Sequence, residues 1–164
     1  MDRPIVNLDE VTLAESTAGE RFAASTAAFG PLTGMQKLGA QLVVVPPGKR
    51  AWPFHAHLVN EEMVIVLTGA GTLRLAGREL PIRAGDVIAL APGREHPHQI
   101  INTSGAELRY LCVSTMEQPD IVMYPDSGKY GVRAGVAPGG DLGRATFRIN
   151  ARLDAGLEYW EGEV

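Results

Sequence analysis

Residues 48–69 read GKRAWPFHAHLVNEEMVIVLTG, and the chemistry of the chain is concentrated in them. His55 and His57 stand two apart on a strand expected over 54–59. Side chains two apart on a strand share a face, so both imidazoles can reach one ion. Glu62 opens the next expected strand, EMVIVLT over 62–68, and can return a carboxylate to the same layer. His98 follows much later, at the start of a strand expected over 98–102. Three imidazole nitrogens and one carboxylate oxygen suit a borderline divalent metal such as zinc, manganese, nickel or iron. Such a set leaves one or two positions open for water or substrate.

The surrounding sequence has the punctuation of an all-β chain. LGAQLVVV over 38–45 is a strand stopped by Pro46-Pro47-Gly48. Residues 72–76 and 78–82 form a hairpin turning at Ala76-Gly77. DVIALA over 86–91 follows Gly85, and 98–102 pairs with 107–114 around Ser104-Gly105. Short strands at this regular spacing, with no helical period among them, predict a sandwich or barrel. The barrel core is expected over about 38–115, with an N-terminal arm over 1–37 and a C-terminal tail over 116–164, all in one domain. The tail reads as loop-rich and ends in Tyr159-Trp160; it is expected to pack against the barrel or a partner subunit.

Composition narrows the class. The chain has 164 residues, 45% of them hydrophobic, which is enough to bury a core without staples. A net charge of −4 with no basic run argues against nucleic acid or an anionic membrane as partner. Cys112 is the sole cysteine, so no internal disulfide forms, and it reads as a small buried residue on a strand. Residues 1–10 carry Asp2, Arg3, Asp9 and Glu10 and lack the apolar stretch of a signal peptide. A soluble, cytoplasmic protein is the expectation.

With these residues in view, the stretch from Gly48 through His55, His57 and Glu62 to Gly69 resembles the first motif of the cupin superfamily. Six residues between Glu62 and Gly69 select Glu62 over Glu61 as the ligand of that motif. The stretch from Gly85 through Pro92-Gly93 and His98 to Asn102 resembles the second motif. There the segment before the histidine is longer than usual, and His96 competes with His98. His98 keeps the motif's spacing to Asn102, and Pro97 cannot donate a ladder hydrogen bond, so the strand is expected to begin after it. The resemblance covers about residues 38–115 and implies a jelly-roll barrel, the double-stranded β-helix, with one divalent ion on His55, His57, Glu62 and His98. The flanks KRAWPFHAHLVNEEM, HQIINTSGAELRYL and YPDSGK look like a bacterial group of small single-domain cupins. Members of that group are often labelled, by analogy, sugar-phosphate isomerase-like, a label that carries little functional weight.

The other candidates divide between functional and bland readings. Glu61 is expected on the outer face. Lys49 and Arg50 either attract an anionic substrate or form a solvated turn. Trp52 and Phe54 either line the barrel mouth or pack between subunits. Ser127-Gly128-Lys129 lacks the upstream glycine and the strand–loop–helix setting of a phosphate loop. Two functions follow from the site: an isomerase-like or oxygenase-like enzyme with Glu62 as its catalytic carboxylate, or a non-catalytic module that binds or senses a small ligand. A homodimer is expected, since short strands leave edges to be covered and both arms carry apolar residues such as Phe22, Phe29, Phe147 and Trp160.

Overall fold

LGAQLVVV is apolar at consecutive positions because both faces of its strand are covered. Val43 and Val45 point into a barrel interior shared with Val64, Val66, Leu73, Ile100 and Leu108. Leu42 and Val44 point the other way, against Ala27 and Phe29. The arm lays Val6, Leu8, Val11 and Leu13 over this second cluster, so it completes the core on the outer side. The computed structural model describes residues 4–136 and 142–163.

In chain order the strands are β1 (Ala14–Ala18), β2 (Phe22–Ala28), β3 (Leu38–Val45), β4 (Ala56–His57), β5 (Glu62–Thr68), β6 (Ala70–Leu75), β7 (Arg78–Arg83), β8 (Val87–Leu90), β9 (His98–Ile101), β10 (Leu108–Thr115), β11 (Asp120–Tyr124), β12 (Lys129–Ala134) and β13 (Phe147–Arg152). They form three sheets, ordered β1-β2-β3-β10-β5-β8, β13-β12-β11-β4 and β7-β6-β9. The fold is all-β, as expected from the sequence, and β10 lies inside the largest sheet, antiparallel to both β3 and β5. The β6–β7 hairpin turns at Ala76-Gly77 as expected, with Gly77 at a φ of 72°. Between β5 and β6, Gly69 combines a φ of 85° with a close approach: a Cβ there would collide with the carbonyl oxygen of Glu107.

Two expectations are corrected. The strand expected over 54–59 is reduced to Ala56–His57, with His55 making only an isolated bridge to His98. Pro53 removes a backbone donor just before it, and the neighbouring ladder is correspondingly short. The tail is not loop-rich: β11, β12 and β13 form a meander, and β11 carries β4 along its free side, pairing Val122 with His57 and Met123 with Ala56. The run DIVMY and the run KYGVRA flank the turn Pro125-Asp126-Ser127-Gly128, which is a hairpin pattern. Arg74 of β6 clamps this turn with two parallel hydrogen bonds to Asp126, at 2.7 and 2.8 Å, while its guanidinium lies 3.9 Å from the ring centroid of buried Phe54.

Leu42 is fully buried between the sheet and the arm. Leu42→Ala is expected to cost about 2–5 kcal/mol, the usual range for such a truncation. Urea denaturation monitored by circular dichroism measures it; a loss well below that range would mean that the arm does not seal this face.

Candidate metal centre

The site is assembled from four elements. Along β5 the period of two puts Glu62, Val64 and Val66 on the barrel's inner side and leaves Met63 exposed. The same parity separates Glu62 from exposed Glu61. On β9, His98 shares the inner side with Ile100. His55 enters from the bridge facing β9, and His57 from β4. Ligand atoms of His55, Glu62 and His98 lie within 4.8 Å of one another. His57 stands just beyond this trio, its Nε2 3.8 Å from Glu62 Oε1.

The three imidazoles share one orientation. Nδ1 of His55 faces the carbonyl of Pro53 at 2.8 Å, Nδ1 of His57 faces Asp120 Oδ2 at 2.7 Å, and Nδ1 of His98 faces the carbonyl of His96 at 3.3 Å. Carbonyl and carboxylate oxygens only accept, so Nδ1 of His55 and Nδ1 of His57 carry the hydrogen and donate it. Each Nε2 is thereby left as the nitrogen that turns inward. His98 Nε2 sits 3.0 Å from Glu62 Oε2. Without a metal, His98 Nε2–H donates to this oxygen; with the hydrogen on Nδ1, Nε2 and the carboxylate together offer two ligand atoms to a cation.

Electrostatics set these donors in the protonation states a metal needs. Burial, reinforced by the nearby His98 and His57 rings, holds His55 neutral, with its pKa down to about 3. Burial alone would raise the pKa of Glu62; the hydrogen bond with His98 and the charges of His57 and His55 outweigh it and bring the value down to about 2. Burial also works against the imidazolium of His57, as does the charge of Arg133, but the hydrogen bond to Asp120 and the charges of Glu62 and Asp120 raise its pKa above the ordinary value. Metal ligation requires neutral imidazole and ionised carboxylate, and two of the donors are already so poised.

His96 is exposed in the turn before β9 and lies 3.4 Å from Glu95, away from the cluster. Asn102, at the end of the second motif, is a structural residue: its Nδ2 donates to the carbonyls of Val45 and Ala106, and its Oδ1 accepts from the backbone and hydroxyl of Ser104. Cys112 on β10 directs its thiol at Glu62 Oε1, 3.6 Å away, and burial pushes its pKa up, so it remains a thiol. Lys49 donates to the carbonyl of Glu20 at 2.6 Å, and neither it nor Arg50 lines the cavity above the cluster. Trp52 does line that cavity, whereas Phe54 is buried beneath Arg74. The cavity has a volume of about 570 Å³, within the range of small-ligand sites. Asp120, Val122, Tyr124 and Arg133, all from the tail, form part of its wall. Sequence reading missed Asp120, which begins the apolar run of β11 and is almost fully buried against His57.

Comparison with known proteins agrees with this architecture. Residues 41–114 match the family described as the cupin domain. An uncharacterized protein of Methanocaldococcus jannaschii is 32% identical over 71 residues, 43% of this chain and 54% of that protein. An oxalate-binding protein of Thermotoga maritima is 35% identical over 69 residues, 42% of this chain and 54% of that protein. The chain thus spans about half the length of the curated relatives it matches. The crystal structure of a sugar phosphate isomerase from a cupin superfamily, from Silicibacter pomeroyi, aligns with a TM-score of 0.78 at 24% identity. It covers 93% of this chain and 94% of that one, so the shared fold includes the arm and the tail.

The metal-free protein is expected to lose stability as pH falls from about 6.5 towards 3. In that window the unfolded chain protonates His55 and the folded chain does not, so stability rises with pH by up to about 1.4 kcal/mol per unit. Glu62 adds to the acid loss below about 4.5, as its carboxylate is protonated in the unfolded chain first. His57 acts oppositely: its contribution is complete below 6.5 and is lost as pH rises through its raised folded value. Melting temperature against pH, in chelator, checks this; His55→Gln should flatten the acid side, and an unchanged slope would contradict the assignment.

Proposed function

We propose that this protein is a metal-dependent cupin that transforms a small molecule at one divalent ion held by His55, His57, Glu62 and His98. The observation that carries the reading is the convergence of three Nε2 atoms on the Glu62 carboxylate at the floor of a cavity large enough for a ligand. The donor set fits zinc, manganese, nickel or iron. When bound, such an ion supplies Lewis-acid polarisation of a carbonyl or hydroxyl oxygen, or a site for dioxygen. The chain's own part is to hold His55 neutral, keep Glu62 ionised, aim His57 through Asp120 and close the cavity with tail residues.

Isomerase-like and oxygenase-like chemistry both suit this arrangement; the name of the Silicibacter pomeroyi structure supports the first. A second reading, a non-catalytic small-ligand binder, is favoured by the name of the Thermotoga maritima relative. Glu62→Gln separates the two: an enzyme loses its substrate-dependent reaction, whereas a binder shows only ligand-induced thermal stabilisation.

A homodimer is part of the proposal. β13 is the edge of its sheet, and Phe147 and Ile149 on it are exposed, as are Tyr159 and Trp160 beyond. A cytoplasmic location accords with the sole cysteine and the acidic charge; no helix among the described residues is long and apolar enough to cross a membrane.

Elemental analysis after reconstitution is expected to find one divalent ion per chain, and less than about 0.2 equivalents would overturn the proposal for a site expected to bind such ions well. His98→Ala should lower metal affinity sharply, and His96→Ala should leave it nearly unchanged; the reverse would shift the second motif by two residues. Light scattering at micromolar concentration is expected to give twice the chain mass, and a monomer mass would contradict the dimer.

A further inference from the structure

Among the described residues lining the cavity, Arg133 of β12 is the one guanidinium or ammonium. It stands directly opposite Asp120 of β11 in the register. Opposite charges so placed on one face of a sheet ordinarily pair. Here Asp120 Oδ2 accepts from His57 instead, and no described carboxylate lies within ion-pair distance of Arg133. The guanidinium runs along the sheet past Gly131, where a Cβ would meet Asn150 Oδ1 at 2.6 Å and Arg133 Nη1 at 3.0 Å. Gly131 has no left-handed backbone to account for it; the missing side chain makes room. At the end of this path Arg133 Nη2 donates to Tyr124 Oη at 3.3 Å. A guanidinium has five N–H donors in a planar fork, and the rest of this fork has no partner among the hydrogen bonds of the described residues. It is half-buried and faces a cavity whose wall joins apolar groups such as Val64, Leu90 and Val122 to the histidine cluster, with the Glu62 and Asp120 carboxylates engaged by His98 and His57. Such a cation, aimed into the cavity and without an ion-pair partner among the described residues, suits an anion brought in by the ligand.

We propose that Arg133, aimed by Tyr124, is an anion subsite of this cavity, and that the ligand is a small oxygenated molecule carrying a carboxylate or phosphate group. The proposal rests on the reading of the cavity as the ligand site. It places the charge-selecting residue in the tail, outside the matched span 41–114.

Isothermal titration of chelator-treated and zinc-loaded protein with oxalate, with glycerol 3-phosphate and with neutral glycerol, at matched ionic strength, tests it. At least one of the two anions should bind, and glycerol should not bind the chelator-treated form. Arg133→Gln should weaken the binding by about 10- to 100-fold, the effect of losing a charge-assisted hydrogen bond. Arg133→Lys should recover part of it, since charge remains and the fork is lost. Tyr124→Phe should weaken it by less. If Arg133→Gln melts too early to titrate, Arg133→Lys and Tyr124→Phe carry the comparison. Whichever anion shows the Arg133 dependence identifies the ligand's group as carboxylate or phosphate. Binding of neither anion overturns the proposal, as does an Arg133→Gln protein that is less stable but binds as tightly as native. Arg133-dependent binding in a protein that takes up no zinc would uphold the subsite and defeat the metal-enzyme reading. Zinc uptake with anion binding indifferent to Arg133 would do the opposite.

Discussion

The 2.7 Å hydrogen bond from His57 Nδ1 to Asp120 Oδ2 joins the two halves of this molecule. Both side chains are buried, and they are 63 residues apart in sequence. β4 is two residues long and has too few ladder bonds to hold His57 by itself; β11 supplies its neighbour, and the carboxylate of β11 then fixes the ring. Breaking a buried charged pair by removing one partner costs about 3–5 kcal/mol, because the other is left uncompensated. The cost here falls on both the tail's attachment and the orientation of an imidazole. A carboxylate behind a histidine also raises the basicity of the outward nitrogen and fixes its tautomer.

The barrel was legible because its signals are local. Turn glycines and prolines bound short apolar runs, and parity along a strand decides that Glu62 faces inward and Glu61 outward. The His-x-His spacing was legible for the same reason. The arm was legible only as something that must cover a sheet; Val6 and Leu8, and Val11 and Leu13, stand two apart as on a strand, yet they lie outside any strand and cap a surface. The tail was misread. Its first two strands flank a turn of Pro, Asp, Ser and Gly that resembles a loop when weighed by composition, and β12 carries a glycine, Gly131, in its middle. Asp120 could not be found from spacing: nothing local says that an acid opening an apolar run will meet a histidine so far back in the chain.

Charge in the cluster is arranged so that few states are comfortable without a cation. Glu62 has His98 on one oxygen, and His57 and the Cys112 thiol near the other. Burial opposes the charge on Glu62, and only its neighbours keep it ionised. The same neighbours, with burial, keep His55 from protonating. The set therefore tolerates one shared positive charge and resists several. A single divalent ion meets that demand better than protons distributed over three rings, because it satisfies the inward nitrogens and the carboxylate together.

The division between barrel and tail follows from what each must do. Ligand atoms have to converge to within a few ångströms, so each sits on or beside a paired strand: Glu62 on β5 beside β10, His98 on β9 beside β6, His55 on its bridge to His98, and His57 on β4 beside β11. The wall facing a ligand has only to present the right charge and shape, and a meander attached at one edge can do that. Arg133 illustrates the difference. Its direction is set by an absent side chain at Gly131, a phenol at Tyr124 and an aspartate already committed to His57, all on the same two strands. Substituting residues on β11 and β12 can therefore change what the cavity selects while the donors on β5 and β9 stay where they are. Asp120 is the exception on those two strands, since its side chain hydrogen-bonds an imidazole of the cluster. A change there reaches the metal centre and the cavity wall at once.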